Sequence, residues 1–327
     1  MAMKSTLRIY LLLFLLIAQG LHAQVLGCTD PLSKNYNPAA THNDGSCVYD
    51  NIYIKPVASV GLPDRIRETS GLIRWARHLY THNDNNDNNL YALDTLTGEV
   101  MLTFKLEGVS NNDWEEIAQD EDYFYIGDFG NNTGHRKNLS IIKISQEGFV
   151  SGIPSITTID FTYPTPTGSE STSSKTEYDC EAFIVRKDSI YLFTKNWGSG
   201  KTSLYSLPNV PGQHATTLLG TYDVEGLVTG AAYSEDKGVV VLTGYNKRLQ
   251  PFFYLLYDFK GNNFFSGNKR KIKIDLPFHQ IESIATSDGL TFYCTNEYFK
   301  RFPFIRVEAQ LHRFDLSPFF NQILTQK

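Results

Sequence analysis

The sequence has no excess of positive charge. Lysine and arginine number 30 against 35 aspartate and glutamate, for a net charge of −5 and a pI near 5.9. That excludes a strongly basic nucleic-acid binder and argues against any polyanionic partner. Beyond residue 23 no apolar run approaches the ~20 residues that cross a bilayer, so no membrane span is expected. No G-x-S-x-G, H-E-x-x-H or Cys/His cluster occurs, and no amphipathic helical pattern of useful length. The Gly-rich G-D-F-G-N-N-T-G-H-R (127–136) follows no strand-to-helix pattern, which removes a phosphate loop.

Cysteine is scarce: Cys28, Cys47, Cys180 and Cys294. The last two lie in apolar strand contexts and read as buried free thiols. Cys28 and Cys47 can close a short loop in an oxidising compartment. That compartment is suggested by residues 4–23, which join a basic start to an apolar run and end on a small residue before Gln24. Residues 1–23 are therefore read as a secretory signal peptide, giving a secreted, periplasmic or cell-surface protein. Val25-Leu26-Gly27-Cys28 also has the shape of a lipobox, a rival reading in which Cys28 carries lipid.

Residues 27–48 read G-C-T-D-P-L-S-K-N-Y-N-P-A-A-T-H-N-D-G-S-C-V. They resemble a short repeat of many bacterial secreted and surface proteins, G-C-x-D-P-x-A-x-N-Y-x-P-x-A-x-x-D-D-G-S-C. The resemblance implies a Cys28–Cys47 disulfide and favours signal-peptide cleavage over lipidation. So small a module, residues 27–50, needs a staple. Its Asp30, Asn35, Asn37, Asn43 and Asp44 are either Ca²⁺ ligands or Asx-turn formers.

From residue 51 to 327 short runs of Tyr, Phe, Ile, Val and Thr alternate with Gly, Asn, Asp and Pro, the pattern of an all-β domain. Five segments repeat one layout, starting at Ser70, Glu115, Glu181, Thr229 and Glu282. Ser70 to Tyr80, Glu115 to Tyr125 and Glu181 to Tyr191 are each ten residues, and Glu282 to Tyr293 is eleven. Four strands per unit at this period is the signature of a β-propeller, five-bladed, with six blades as the alternative. The last unit lacks its fourth strand, which residues 52–60 are expected to supply.

In a propeller the start of the first strand and the end of the second share a face. The expected mouth therefore gathers Glu115, Glu181 and Glu282 with Ser70 and Thr229, and Asp128, Lys195, Asn296 and Glu297 beside them. Asp113 and Asp179 lie two residues upstream of two of the glutamates, as orienting or loop-capping groups. Crowded carboxylates require a bound cation, a shared proton or a nearby base such as Lys195 or Arg136. Ca²⁺ held by Glu115, Glu181 and Glu282 suits oxygen-only ligands; the competing reading is that these carboxylates cap loop N–H groups. Of the adjacent pair, Glu115 aligns with the other glutamates, while Glu116 aligns with Gly71, Ala182, Gly230 and Ser283 and is expected to matter less.

The unit pattern S-G-L, D-W-E-E-I-A, D-C-E-A-F and I-E-S-I-A, with Y-I-G-D-F-G-N-N between, resembles a bacterial exported propeller group related to phytase-like esterases and calcium-centred propellers. The first functional expectation is a monomeric binding or scaffold propeller for a cation or small polar, carbohydrate-like ligand, since fold alone does not license a function. A hydrolase is the alternative, either a metal-assisted esterase or lactonase, or a glycosidase using Glu115, Glu181 and Glu282 as catalytic groups. Trp197, Tyr245 and Phe299 would then be stacking platforms.

Overall fold

The computed structural model describes residues 24–84, 87–164 and 176–320. The expected signal peptide lies outside them. Five sheets, each built on four antiparallel strands and two of them widened by a short parallel edge strand, follow one another along the chain and close into a five-bladed propeller. Blade one comprises Thr69–Trp75, His78–Asn83, Asn89–Leu93 and Val100–Lys105, running from the axis outward. Blade two comprises Trp114–Gln119, Tyr123–Asp128, Leu139–Ser145 and Ile156–Thr162. Blade three is Cys180–Arg186, Ser189–Thr194, Lys201–Pro208 and Thr217–Asp223. Blade four is Leu227–Ser234, Val239–Tyr245, Pro251–Tyr257 and Asn268–Ile274. Blade five is Ala285–Thr286, Thr291–Asn296, Gln310–Asp315 and Ala58–Gly61.

Tight inner hairpins set the register. Asp120 closes one by accepting the N–H groups of Asp122 at 2.9 Å and Tyr123 at 2.8 Å, and Asp288 does the same for Leu290 and Thr291. The expected closing strand is divided rather than continuous. Tyr53–Ile54 adds parallel to the outer edge of blade four, and only Ala58–Gly61 closes blade five, antiparallel to Gln310–Asp315. Pro56 lies between them, and a residue with no N–H cannot continue a ladder.

The core is distributed between the blades. One apolar cluster fills each junction, including that between blades five and one, where Leu72, Leu79, Ala285 and Leu311 meet. Aromatic rings meet edge-on across the junction of blades two and three, Phe129 against Phe183 at 5.6 Å. Cys180 and Cys294 are buried free thiols inside this packing, as the sequence suggests.

The N-terminal module is stapled by Cys28–Cys47, which occupies the sulfur that lipidation would need. Its polar side chains form turns: Asp30, Asn37, Asn43 and Asp44 each accept the N–H two residues on. The module docks on blade four. Asp30 Oδ2 accepts hydroxyls from Tyr49 at 2.7 Å and Tyr257 at 2.6 Å, and Asn43 donates to Asp258 at 2.8 Å and Asn268 at 2.9 Å.

Glu116 crosses the axis. Its side chain is fully buried, and its two oxygens accept N–H groups from Ile117 at 3.0 Å, Leu72 of blade one at 3.3 Å and Ala231 of blade four at 3.0 Å. Gly71 makes room for it. A Cβ there would stand 2.6 Å from Ile117 N and 2.9 Å from the Glu116 carbonyl carbon, at a φ of +62° that favours glycine. The expectation that Glu116 matters less than Glu115 therefore fails for the fold: this carboxyl ties three blades together. Glu116→Ala orphans three buried donors and is expected to cost more than about 3 kcal/mol, at ~1–3 kcal/mol each. Glu116→Gln keeps one acceptor oxygen and should cost less. Urea unfolding midpoints check this order, and two variants as stable as the parent would contradict it.

Candidate functional site

The site is built on β-bulges. Where the innermost strand of blade two pairs with its neighbour, Trp114 faces Asp128 and Glu116 faces Gly127, so the register skips Glu115. In blade three the skipped residue is Glu181, between Cys180 and Ala182, and in blade four it is Thr229, between Val228 and Gly230. A bulge re-aims the extra side chain, so Glu115 and Glu116 leave the strand in directions that a regular ladder would not give them. Blade five reaches the same level with Glu282, whose N–H donates to the Thr295 carbonyl at 3.0 Å.

The two hydroxyls take a different role. Ser70 Oγ donates to the Glu115 carbonyl at 2.7 Å, and Thr229 Oγ1 donates to the Ile281 carbonyl at 2.5 Å. Each clips one blade to the next. Asn296 is similarly committed, donating to the Glu297 and Glu308 carbonyls and accepting from His312 at 2.8 Å. Asp128 binds Arg136 and accepts from Asn112 at 2.6 Å, holding the loop after blade two's second strand.

What remains at the mouth is one charged cluster. Lys195 Nζ lies 2.6 Å from Glu181 Oε2, with both side chains about 5 % exposed, and it stands 4.7 Å from the Trp197 ring and 5.6 Å from that of Tyr245. Burial opposes the ammonium's charge, but Glu181, Tyr245, Glu282 and Asp179 together hold its pKa well above the ordinary value. Glu181 is itself pushed well up, by burial first, with Lys195 pulling it back down and Asp179 and Glu282 raising it further. Glu115 is raised well above the ordinary range by burial and then by Glu181, Asp113 and Asp179.

Asp113 and Glu115 are close neighbours. A Cβ on Gly130 would fall 2.3 Å from Asp113 Oδ2 and 2.3 Å from Glu115 Oε1, so the loop over them tolerates no side chain there. Burial raises the Asp113 carboxyl, with Arg136 pulling it back down and Asp179 and Asp128 adding to the rise. Asp179, two residues upstream of Glu181, is fully buried and accepts the Trp197 indole N–H at 2.7 Å and the Asn131 N–H at 2.7 Å.

Toward blade one the cluster continues with Glu297 and Asp84. Burial raises Glu282 to about 7, against the pull of Lys195 and Tyr245, while Asp84 and Asp179 add to the rise. Burial, then Glu282 and Asp84, raises Glu297 to about 8. Asp84 and Tyr245 are the members whose part sequence reasoning understated. Both stand at strand ends of this face, so the shared layout of the units was the available signal. Among the described residues no three His, Cys, Asp or Glu side chains are grouped to hold a metal ion.

No family model matches this chain, and no curated protein matches it either. Its fold is similar to that of Myxococcus xanthus glutaminyl cyclase, with a TM-score of 0.48 at 12 % identity, over 81 % of this chain and 100 % of that one. It is also similar to the computationally designed protein Ika8, with a TM-score of 0.35 at 10 % identity, over 78 % and 98 % of the two chains. At such identities the likeness is of fold alone, and no residue role is carried across.

The opposite mouth was not anticipated. It holds a cavity of about 620 Å³ whose lining includes Leu72, Arg74, Trp75, Gln119, Arg186 and Tyr233. These residues close the far ends of the inner hairpins, where no repeated polar position marked them.

The raised carboxyls fix a sign for stability against pH. Glu282 and Glu297 keep protons in the folded chain that they release near 4.5 when unfolded, so their stabilising share is complete below 4.5 and is lost as pH rises through about 7 and 8. The melting temperature is expected to fall across that window, and Glu282→Gln with Glu297→Gln should flatten the fall. Lys195→Met leaves Glu181 buried without its ion-pair partner and is expected to cost about 3–5 kcal/mol. Melting curves from pH 4 to 9 test both; an unchanged pH slope in the double variant would contradict the first.

Proposed function

We propose that the mouth lined by Glu115, Glu181, Lys195, Glu282 and Glu297 is a recessed binding site for a small polar ligand carrying a positive charge. The observation that carries this reading is the imbalance around Lys195: one ammonium faces Glu115, Glu181, Glu282, Glu297 and Asp179. Protons make up the deficit in the ligand-free chain, and a ligand ammonium on the Glu282–Glu297 side would replace them. Trp197 is partly exposed beside this cluster, its indole fixed by Asp179, and offers a flat apolar wall. A calcium ion coordinated by all three glutamates competes with Lys195 for Glu181, which favours an organic cation over the metal. The Cys28–Cys47 disulfide fits an exported protein.

A hydrolase is the second reading, and one observation favours it. Glu282, with a pKa near 7 beside an ammonium, is suited to exchange a proton with a bound substrate at neutral pH. Aryl esters and glycosides are the substrates to assay, with Glu282→Gln as the control variant.

Thermal melting with glycinamide, putrescine, choline or CaCl₂ tests the binding reading at pH 6 and pH 8. At about 100 Kd a ligand adds roughly 2.7 kcal/mol, which is a shift on the order of 5 °C for a chain of this size. The expected result is stabilisation by an amine, larger at pH 8, and lost in Glu282→Gln/Glu297→Gln. Stabilisation by CaCl₂ alone, reversed by chelator, would assign the mouth to a metal instead. No shift with any of the four would remove the binding reading.

A further inference from the structure

A short hairpin leaves the same face as the carboxyl cluster, directly after Glu297. Its strands, Phe299–Arg301 and Ile305–Val307, pair antiparallel and stand outside the blade sheets. The turn between them carries Phe302 and Phe304, which are 87 % and 93 % exposed, more than any other large apolar side chain among the described residues. Cations flank both rings: the exposed Lys300 and Arg301 precede them, and the exposed Arg306, paired with Glu308 at 2.6 Å, follows. The base of the hairpin is fixed. Tyr298 N–H donates to the Arg67 carbonyl at 2.8 Å, and the Arg67 guanidinium lies 4.1 Å over the Tyr298 ring.

We propose that this hairpin docks the propeller on an anionic phospholipid surface, with Phe302 and Phe304 entering the interface and Lys300 and Arg301 meeting the headgroup phosphates. Two exposed aromatic rings on a projecting tip have no folding role that explains them. A convex tip suits a soft planar surface, whereas a protein partner would have to supply a matching pocket. Apolar insertion with adjacent basic groups is the physical pattern of interfacial anchoring. The charge is local: the chain as a whole is acidic, with a net charge of −5, so attraction to an anionic surface must come from a patch such as this one. Docking there would turn the carboxyl mouth toward the membrane surface. The proposal stands on the hairpin alone and does not require the ligand reading of the mouth.

Sedimentation of the purified protein with phosphatidylcholine vesicles, and with vesicles containing 30 % phosphatidylglycerol, tests it at 0.1 M NaCl. The expected result is binding at least tenfold tighter to the anionic vesicles. Phe302→Ser/Phe304→Ser should lose that binding at least tenfold, and Lys300→Glu/Arg301→Glu should abolish the preference for phosphatidylglycerol. Both variants change exposed positions and should melt with the parent protein, which separates lost docking from lost folding. Absence of vesicle binding, or equal binding by the phenylalanine variant, would overturn the proposal. Self-association in sedimentation velocity that disappears in the phenylalanine variant, without vesicle binding, would assign the tip to a protein contact instead.

Discussion

The upper mouth of this propeller depends on one buried ion pair. Lys195 and Glu181 meet at 2.6 Å in a place that excludes most water, and burying either charge alone would be strongly unfavourable. Around the pair stand more carboxyls than a single ammonium can neutralise. Burial, and then the mutual repulsion of this excess, raises the carboxyls above their ordinary range. The proposed binding of a positively charged ligand rests on that condition, and burial holds Glu282 near 7.

The geometry behind this arrangement comes from the bulges. A regular strand would send Glu115 and Glu116 to opposite faces of the same sheet, one of them into a blade junction. The skipped residue in blades two, three and four instead directs Glu115, Glu181 and Thr229 toward the mouth or its neighbouring blade, and frees Glu116 to cross the axis. One irregularity, repeated, thus serves both the cluster above and the tie at the centre.

Much of the fold was legible because a propeller writes its period into the chain. The start of each innermost strand, the five blades and the closing role of the N-terminal segment all followed from the spacing of Ser70, Glu115, Glu181, Thr229 and Glu282. The division of residues 52–60 at Pro56 was present in the sequence but outweighed by the apolar pattern. Side-chain roles were less legible. Alignment placed Ser70 and Thr229 with the glutamates, yet a hydroxyl one atom from the backbone finds a carbonyl on the next blade before it can reach the mouth. Glu116 was misjudged because its partners, Leu72 and Ala231, are backbone donors brought near only by ring closure, and no residue type records that. Lys195 was noted as a candidate base, and its pairing with Glu181 shows why a strand end carries lysine there.

The direct test of this account is a pH titration of the glutamate side-chain carboxyls by carbon-13 NMR, with the Glu282 and Glu297 signals assigned from their glutamine variants. The account requires midpoints near 7 for Glu282 and near 8 for Glu297, both moving upward in Lys195→Met as the compensating charge is removed. Midpoints near 4.5 for both residues, unmoved by Lys195→Met, would show that the mouth is an ordinary hydrated surface and would contradict the central claim.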